Sequence, residues 1–248
     1  MGAERRWGSR PHPSAEDRRT AGVKFDVNKA LKATKRVLTV YRQTIDAWAE
    51  GMHANDANDR VSCKKGCHSC CYNLVKATMA EGTAIAAHLI EKGTFEQHRP
   101  QLEKTAALTD SFVDNDDATF RYLATKTPCA FLKDGECSIY ELRPAACRTY
   151  FVASDPRNCS PDLPGAEVGY VDARAPMGFF ISELVKATHP TIPMLIGPFP
   201  SVVLAGKELI ERSPGSFKRW SQRSPLFTAN ADPVTSDEVE ALKSISPA

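Results

Sequence analysis

The chain lacks a long apolar run. Its longest such stretch, Ile192 to Ala205, is broken by Pro193, Pro198 and Pro200, and is too short and too interrupted to span a bilayer. No secretory leader is expected either. Residues 1–22 contain Arg5, Arg6, Arg10, Arg18 and Arg19, but no apolar segment follows them. Met1-Gly2 fails the myristoylation pattern, because Arg6 stands where Ser or Thr is needed. An excess of either charge is absent. The 32 Lys and Arg against 30 Asp and Glu leave +2, which gives no strong field toward nucleic acid or membrane. There is no internal repeat, no phosphate-binding glycine loop and no Ser/His/Asp arrangement. These absences point to a soluble, cytoplasmic chain with no membrane partner and with nucleic acid disfavoured. The 42% hydrophobic content of the 248 residues is enough for a real core.

Cysteine is missing from most of the chain as well, and its position where it does occur is the informative feature. All eight cysteines lie within residues 63–159. The first group is Cys63, Cys67, Cys70 and Cys71, with His68 inside it. The second is Cys129, Cys137 and Cys147, and Cys159 follows 12 positions later. Small core residues would be scattered, whereas cysteines at two- and three-residue gaps are placed to gather soft thiolates around one point. Cys67-His68-Ser69-Cys70 has the spacing that lets two sulfurs converge on an ion held about 2.3 Å from each. Gly66 beside it can supply a positive φ for the turn.

In the second group, Asp134-Gly135 suits a tight hairpin. Its arms would be Phe131-Leu132 and Ser138-Ile139-Tyr140, so that Cys129 and Cys137 face one site. Arg143-Pro144 suits a helix start before Cys147. The adjacent pair Cys70-Cys71 adds a constraint. Neighbouring side chains diverge, so either one of the two is not a ligand or they serve two metals or two irons of one cluster. Eight thiols would fill two four-thiolate sites, or one site with four spares. Disulfides require an oxidising compartment, and metal ligation is the preferred reading. Cys159 reads equally as an ordinary thiol or a ligand, and His68 as a loop residue rather than a ligand.

These residues resemble the YkgJ-type cysteine-cluster family, a zinc- or iron-chelating domain with a CxxCxxCC motif. Cys67, Cys70 and Cys71 match its first part, followed by Glu81. Cys129-Ala-Phe-Leu132, Cys137-Ser-Ile139-Tyr140, Arg143-Pro144 and Cys147-Arg148 match its second part. The resemblance covers residues 63–151, with Cys63 one position off the family's spacing. It implies metal chelation and leaves zinc or iron open. A similar cluster occurs in flagellin lysine methylases, which are longer proteins.

Helices are expected around the cysteines. From Asp26 to Met52, the residues Leu31, Thr34, Leu38, Tyr41, Ile45, Trp48 and Met52 alternate by three and four to make one face, and a coiled-coil-like helix pair is an option. Thr78-Met-Ala-Glu81 reads as a capping box opening a helix that Gly93 stops. Glu81 reads first as that cap, and otherwise as a metal-shell or catalytic carboxylate. Thr94 to Gln97 repeats the capping signature, and Pro100 is expected to break the helix or start a fresh one. Leu102 to Phe112 and Phe120 to Leu123 support two more helices, with Asp114 to Asp117 as a solvated linker. The 160–248 stretch holds 11 of the 17 prolines. Short helices are expected there at Phe179 to Ala187 and Val202 to Ile210, joined by proline loops, with a last polar helix opened by Thr235.

The reading is a mainly α protein: an irregular helical domain with a short β-hairpin, organised around a cysteine-ligated metal site. A disordered tail (1–22), the metal-binding domain (23–159) and a C-terminal extension packed on it (160–248) make up the chain. Cys67, Cys70, Cys129, Cys137 and Cys147 come first as ligands, then Cys71, then Cys63, with Cys159 open. Arg143, Arg148 and Glu81 are candidates to support the ligands. Four thiolates on a divalent ion leave about −2 of charge, which guanidinium donors would offset.

The cofactor is zinc or iron, including an iron–sulfur cluster. Three roles stay open: a metal-binding domain presenting a surface to a protein partner, an iron–sulfur redox protein or part of a protein-modifying enzyme, and a zinc-stabilised interaction or nucleic-acid module. Whether the chain is an enzyme is left open.

Overall fold

The computed structural model describes residues 27–54, 61–63, 66–110, 112, 117–163, 166–170, 174–188, 195–212 and 232–233. The expected N-terminal tail, the linker at 114–116 and the last polar helix lie outside the described residues.

The described part is mainly helical. The helices are α1 (Val27–Ala54), α2 (Met79–Glu91), α3 (Phe95–Asp110), α4 (Ala118–Ala124), α5 (Ala145–Arg148), α6 (Arg174–Thr188) and α7 (Phe199–Arg212). Three single 3-10 turns join them, at Ser69–Tyr72, Tyr140–Leu142 and Pro156–Cys159.

The α1 stripe behaves as its spacing demands. Thr34, Leu38, Tyr41 and Ile45 are buried, and the Tyr41 ring lies 4.3 Å from that of Phe180 in α6. Ala80 and Ala84 of α2 and Leu184 of α6 share this cluster.

The second and larger core forms where α2, α3 and α7 meet. It joins Met79, Ile85 and Leu89 to Phe95 and Leu102, and to Phe199, Val202 and Leu209; Phe131 and Ile139 of the second cysteine segment complete it. The α2–α7 approach depends on glycine. A Cβ on Gly82 would stand 2.4 Å from the Val202 carbonyl oxygen, and one on Gly206 would stand 2.6 Å from the Thr83 Cα. Both obstacles are backbone and cannot swing aside.

Several local expectations hold. Thr78 caps α2 with a complete capping box. Gly93, at φ +67, closes the helix: Thr94 N–H bonds the Leu89 carbonyl and Gly93 N–H bonds the Ile90 carbonyl, the Schellman pattern. The hairpin is β2 (Leu132–Lys133) with β3 (Glu136–Cys137), pairing Leu132 with Cys137. Asp134 and Gly135 both have positive φ, at 51° and 79°, which a type I′ turn requires.

Two expectations fail. Pro100 does not interrupt the chain, because α3 runs unbroken from Phe95 to Asp110 with Pro100 inside it. The proline comes early in the helix, so its missing N–H removes one bond near the end while Leu102 and Ala106 stay buried.

The second failure is in the proline-rich segment. Between the last two helices, Leu195–Pro198 forms a strand, β4, which pairs antiparallel with β1 (Lys76–Thr78) and with β5 (Asp232–Pro233). α7 then begins three residues earlier than expected. Pro200 is its second residue, where an N–H would have no partner in the helix anyway.

Candidate metal centre

The two cysteine segments meet through their backbones. The Cys129 N–H donates to the Cys71 carbonyl at 2.8 Å. The first segment is shaped by a 3-10 turn, Ser69–Tyr72, in which Cys71 N–H bonds the His68 carbonyl and Asn73 N–H bonds the Cys70 carbonyl. Gly66 supplies the positive φ before it, at +87. The second segment is fastened to α3. Gln101 Nε2 donates to the Pro128 carbonyl at 3.3 Å, and His98 Nδ1 lies 3.2 Å from the Ala130 carbonyl. The hairpin turn then carries Cys137 back beside Cys129, and the Leu132 N–H bonds the Cys129 carbonyl.

The result is one cavity of about 120 Å³ whose wall includes Cys67, Cys70, Cys71, Cys129, Cys137 and Cys147, together with Arg143. These include the five cysteines the spacing put first, and also Cys71. Cys63 and Cys159 do not line this cavity. The Cys63 sulfur lies 3.9 Å from the Tyr150 carbonyl oxygen, and Cys159 is buried in the 3-10 turn Pro156–Cys159. All eight cysteines are free thiols. Among the described residues no three His, Cys, Asp or Glu side chains are grouped closely enough to hold an ion as they stand.

The donor set fits a soft metal. Burial pushes Cys129 up to about 12, with Cys137 and Cys70 adding to the shift. Burial also raises Cys137 and Cys147. Cys70 is raised most directly by its hydrogen bond with Cys71, then by burial. Cys70 is also the common neighbour, since it adds to the shifts of Cys63, Cys129, Cys137, Cys147 and Cys159. Without a metal these thiols keep their protons at neutral pH. A cation strong enough to displace those protons is what such a cluster accommodates.

Arg143 is the cation that opposes these shifts at Cys63, Cys70, Cys137 and Cys147. Its guanidinium sits 3.8 Å from the centroid of the Tyr140 ring, a stacking that fixes it against the cavity wall. Arg148 also opposes the shift at Cys137, and it has a structural task besides. Its side chain is 2% exposed, and Nη2 donates to the Tyr140 carbonyl at 3.1 Å and the Glu141 carbonyl at 2.6 Å. It therefore holds the turn between the hairpin and α5.

Glu81 resolves differently from a ligand. It is 2% exposed, and Oε2 accepts from both the N–H and the hydroxyl of Thr78 at 2.8 Å. Its other oxygen, Oε1, accepts from the Ala145 N–H at 2.7 Å. The same carboxylate thus caps α2 and pins the start of α5, two residues before Cys147. Burial raises its pKa, opposed by those donors and by Arg148. His68 is exposed, with Nδ1 3.4 Å from the Gly66 carbonyl, beside the hairpin glycine.

Asn73, Leu74 and Val75, which cysteine spacing does not point to, also line the cavity on the way into β1. Their only signal was a short apolar pair before a β-branched residue, too little to identify a strand.

Residues 62–162 match the model of a family named CxxCxxCC and described as a putative zinc- or iron-chelating domain. The resemblance read from the cysteine spacing therefore stands for this segment, and metal binding is the general property it supports. Neither a curated protein nor a solved structure matches the chain. Among the described residues no helix is long and apolar enough to cross a membrane.

Proposed function

We propose that the chain binds metal through thiolates contributed by both cysteine segments, with Cys67, Cys70, Cys71, Cys129, Cys137 and Cys147 around the shared cavity. The observation that carries this reading is that cysteines about 60 residues apart in sequence line one space. Iron, including an iron–sulfur cluster, is preferred over zinc. Both Cys70 and Cys71 face the cavity, and an adjacent pair serves a multinuclear centre better than a single ion. A bound iron–sulfur centre would supply one-electron chemistry, whereas a zinc ion with four thiolates would have no open position and would act structurally.

The chain's own residues supply the setting. Arg143 offsets the charge of the thiolates, Arg148 fixes the backbone that presents Cys147, and Glu81 ties that backbone to α2. Cys63 and Cys159 lie outside that cavity but within electrostatic reach of Cys67 and Cys70, and serve as further thiols beside it. Anaerobic purification followed by elemental analysis and a visible spectrum tests the reading. Iron with broad absorption near ~400 nm is expected. A colourless sample with stoichiometric zinc would reject iron and keep metal binding, and a preparation that takes up neither metal would reject both.

A further inference from the structure

A second cavity, of about 370 Å³, lies on the other side of the thiol cluster. Cys70, Asn73, Leu74, Val75 and Cys147 line both cavities, so two of the candidate ligands sit in the shared wall. The size falls within the roughly 300–1,000 Å³ of small-molecule sites. Three of the large hydrophobic side chains left exposed on the described surface gather on this one cavity: Phe120 at 69%, Tyr170 at 65% and Leu163 at 49%. Exposed apolar groups scattered singly mean nothing, but collected around a hollow they mark a site.

The lining also states the chemistry of an occupant. Phe120, Tyr150 and Tyr170 bring three aromatic rings. The two tyrosines are fixed edge to face at 5.3 Å, with hydroxyls 3.1 Å apart. Asn158 is held by the Glu167 carbonyl. Lys76 alone among the lining residues is charged, and among the described residues it forms no ion pair. Cys70 and Cys147 as metal-binding thiolates would repel an anion, so a negative head group belongs at Lys76, the one cation of the lining, and an aromatic body against the rings.

We propose that the second cavity binds a small aromatic monoanion, such as an arylcarboxylate, with its ring system against Phe120, Tyr150 and Tyr170 and its carboxylate on Lys76. The site places that ligand against the wall formed by Cys70, Cys147 and Cys159.

The test uses the full chain, both as purified and after chelation, with 2-naphthoate as the probe. Binding is read by equilibrium dialysis and by ligand-observed NMR. Saturable binding is expected, weakened about tenfold or more by Lys76→Met, and likewise when 2-naphthalenemethanol replaces the acid. Leu123→Trp, which fills the cavity, should abolish it. Phe120→Ser, at a solvent-facing side chain, should weaken it and keeps the test decisive if the tryptophan variant does not fold. Metal content measured on the same samples separates the two readings. Protein that carries no metal as purified and takes up neither iron nor zinc, yet binds naphthoate, refutes metal binding alone. Metal-loaded protein that shows no saturable binding up to about 1 mM, or binding unchanged by Lys76→Met or Phe120→Ser, overturns this inference alone.

Discussion

Replacing Glu81 by Gln tests how the helical core holds the thiol cluster. The carboxylate satisfies three donors: Thr78 N–H and Oγ1 on one oxygen, and Ala145 N–H on the other. Glutamine keeps the shape but has one oxygen. In either orientation its NH₂ faces at least one N–H or hydroxyl donor. The donor left facing the NH₂ is unsatisfied, at a cost on the order of 1–3 kcal/mol; the charge itself adds nothing to this, because burial outweighs the donors at the ionised carboxylate. A net loss of about 2 kcal/mol follows, or roughly 4–8 °C in Tm for a chain of this size. Glu81→Ala leaves all three donors unmet and removes the cap, for about 3–5 kcal/mol.

The pH dependence has a definite sign. Burial raises the folded-state pKa of Glu81, so the fold binds this proton more tightly than the unfolded chain does. The group's contribution is whole below the ordinary carboxyl range and declines as pH rises through the shifted value. The deficit of Glu81→Gln against the parent should therefore be larger at mildly acid than at neutral pH. Thermal unfolding by circular dichroism, on metal-free samples across that range, measures both. A Glu81→Gln protein that melts within about 1 °C of the parent would refute the three-donor account, and a deficit that grows with rising pH would refute the sign.

Four other outcomes follow. Cys67→Ser and Cys137→Ser should each lose most of the bound metal, while Cys159→Ser, outside the main cavity, should lose little; elemental analysis decides, and equal loss from Cys159→Ser would favour two four-thiolate sites. Because burial raises Cys129, Cys137 and Cys147, metal uptake must release protons, so affinity should fall as pH falls, about tenfold per unit for each thiol that ionises; a competition titration with a chelator at several pH values reads the slope. Gly82→Ala should cost more than about 3 kcal/mol, because its Cβ would meet the Val202 carbonyl backbone; denaturant unfolding measures it, and a neutral result would mean α2 and α7 can separate freely. Chelation should lower the unfolding midpoint and expose residues 125–150 to proteolysis first, as mapped by mass spectrometry; identical cleavage of both forms would mean the two segments are not bridged by metal.

Much of this architecture is written in local chemistry. The α1 stripe, the Thr78–Glu81 box, the Gly93 stop and the Asp134-Gly135 turn each need only a few neighbouring residues, and each forms where its residues stand. The cysteine spacing likewise carried the candidate ligands, because converging sulfurs need turns that the chain displays. What depends on distant partners was not legible. β1 and β4 are three and four residues long, too short to show a period, and exist because each pairs with the other. Gly82 and Gly206 look like helix-weakening residues until α2 and α7 are seen in contact. Pro100 looked like a breaker because its distance from the helix start could not be read with enough precision. Glu81 offered two roles, and only the placement of Ala145 shows that one carboxylate serves both its own helix and the start of α5.

The most direct measurement is X-ray absorption at the edge of whichever metal the anaerobically purified protein carries. The account predicts a first coordination shell of sulfur alone at about 2.3 Å, with the bound metal lost in Cys137→Ser. A shell dominated by nitrogen or oxygen, or a metal whose amount and spectrum are unchanged in Cys137→Ser, would contradict it.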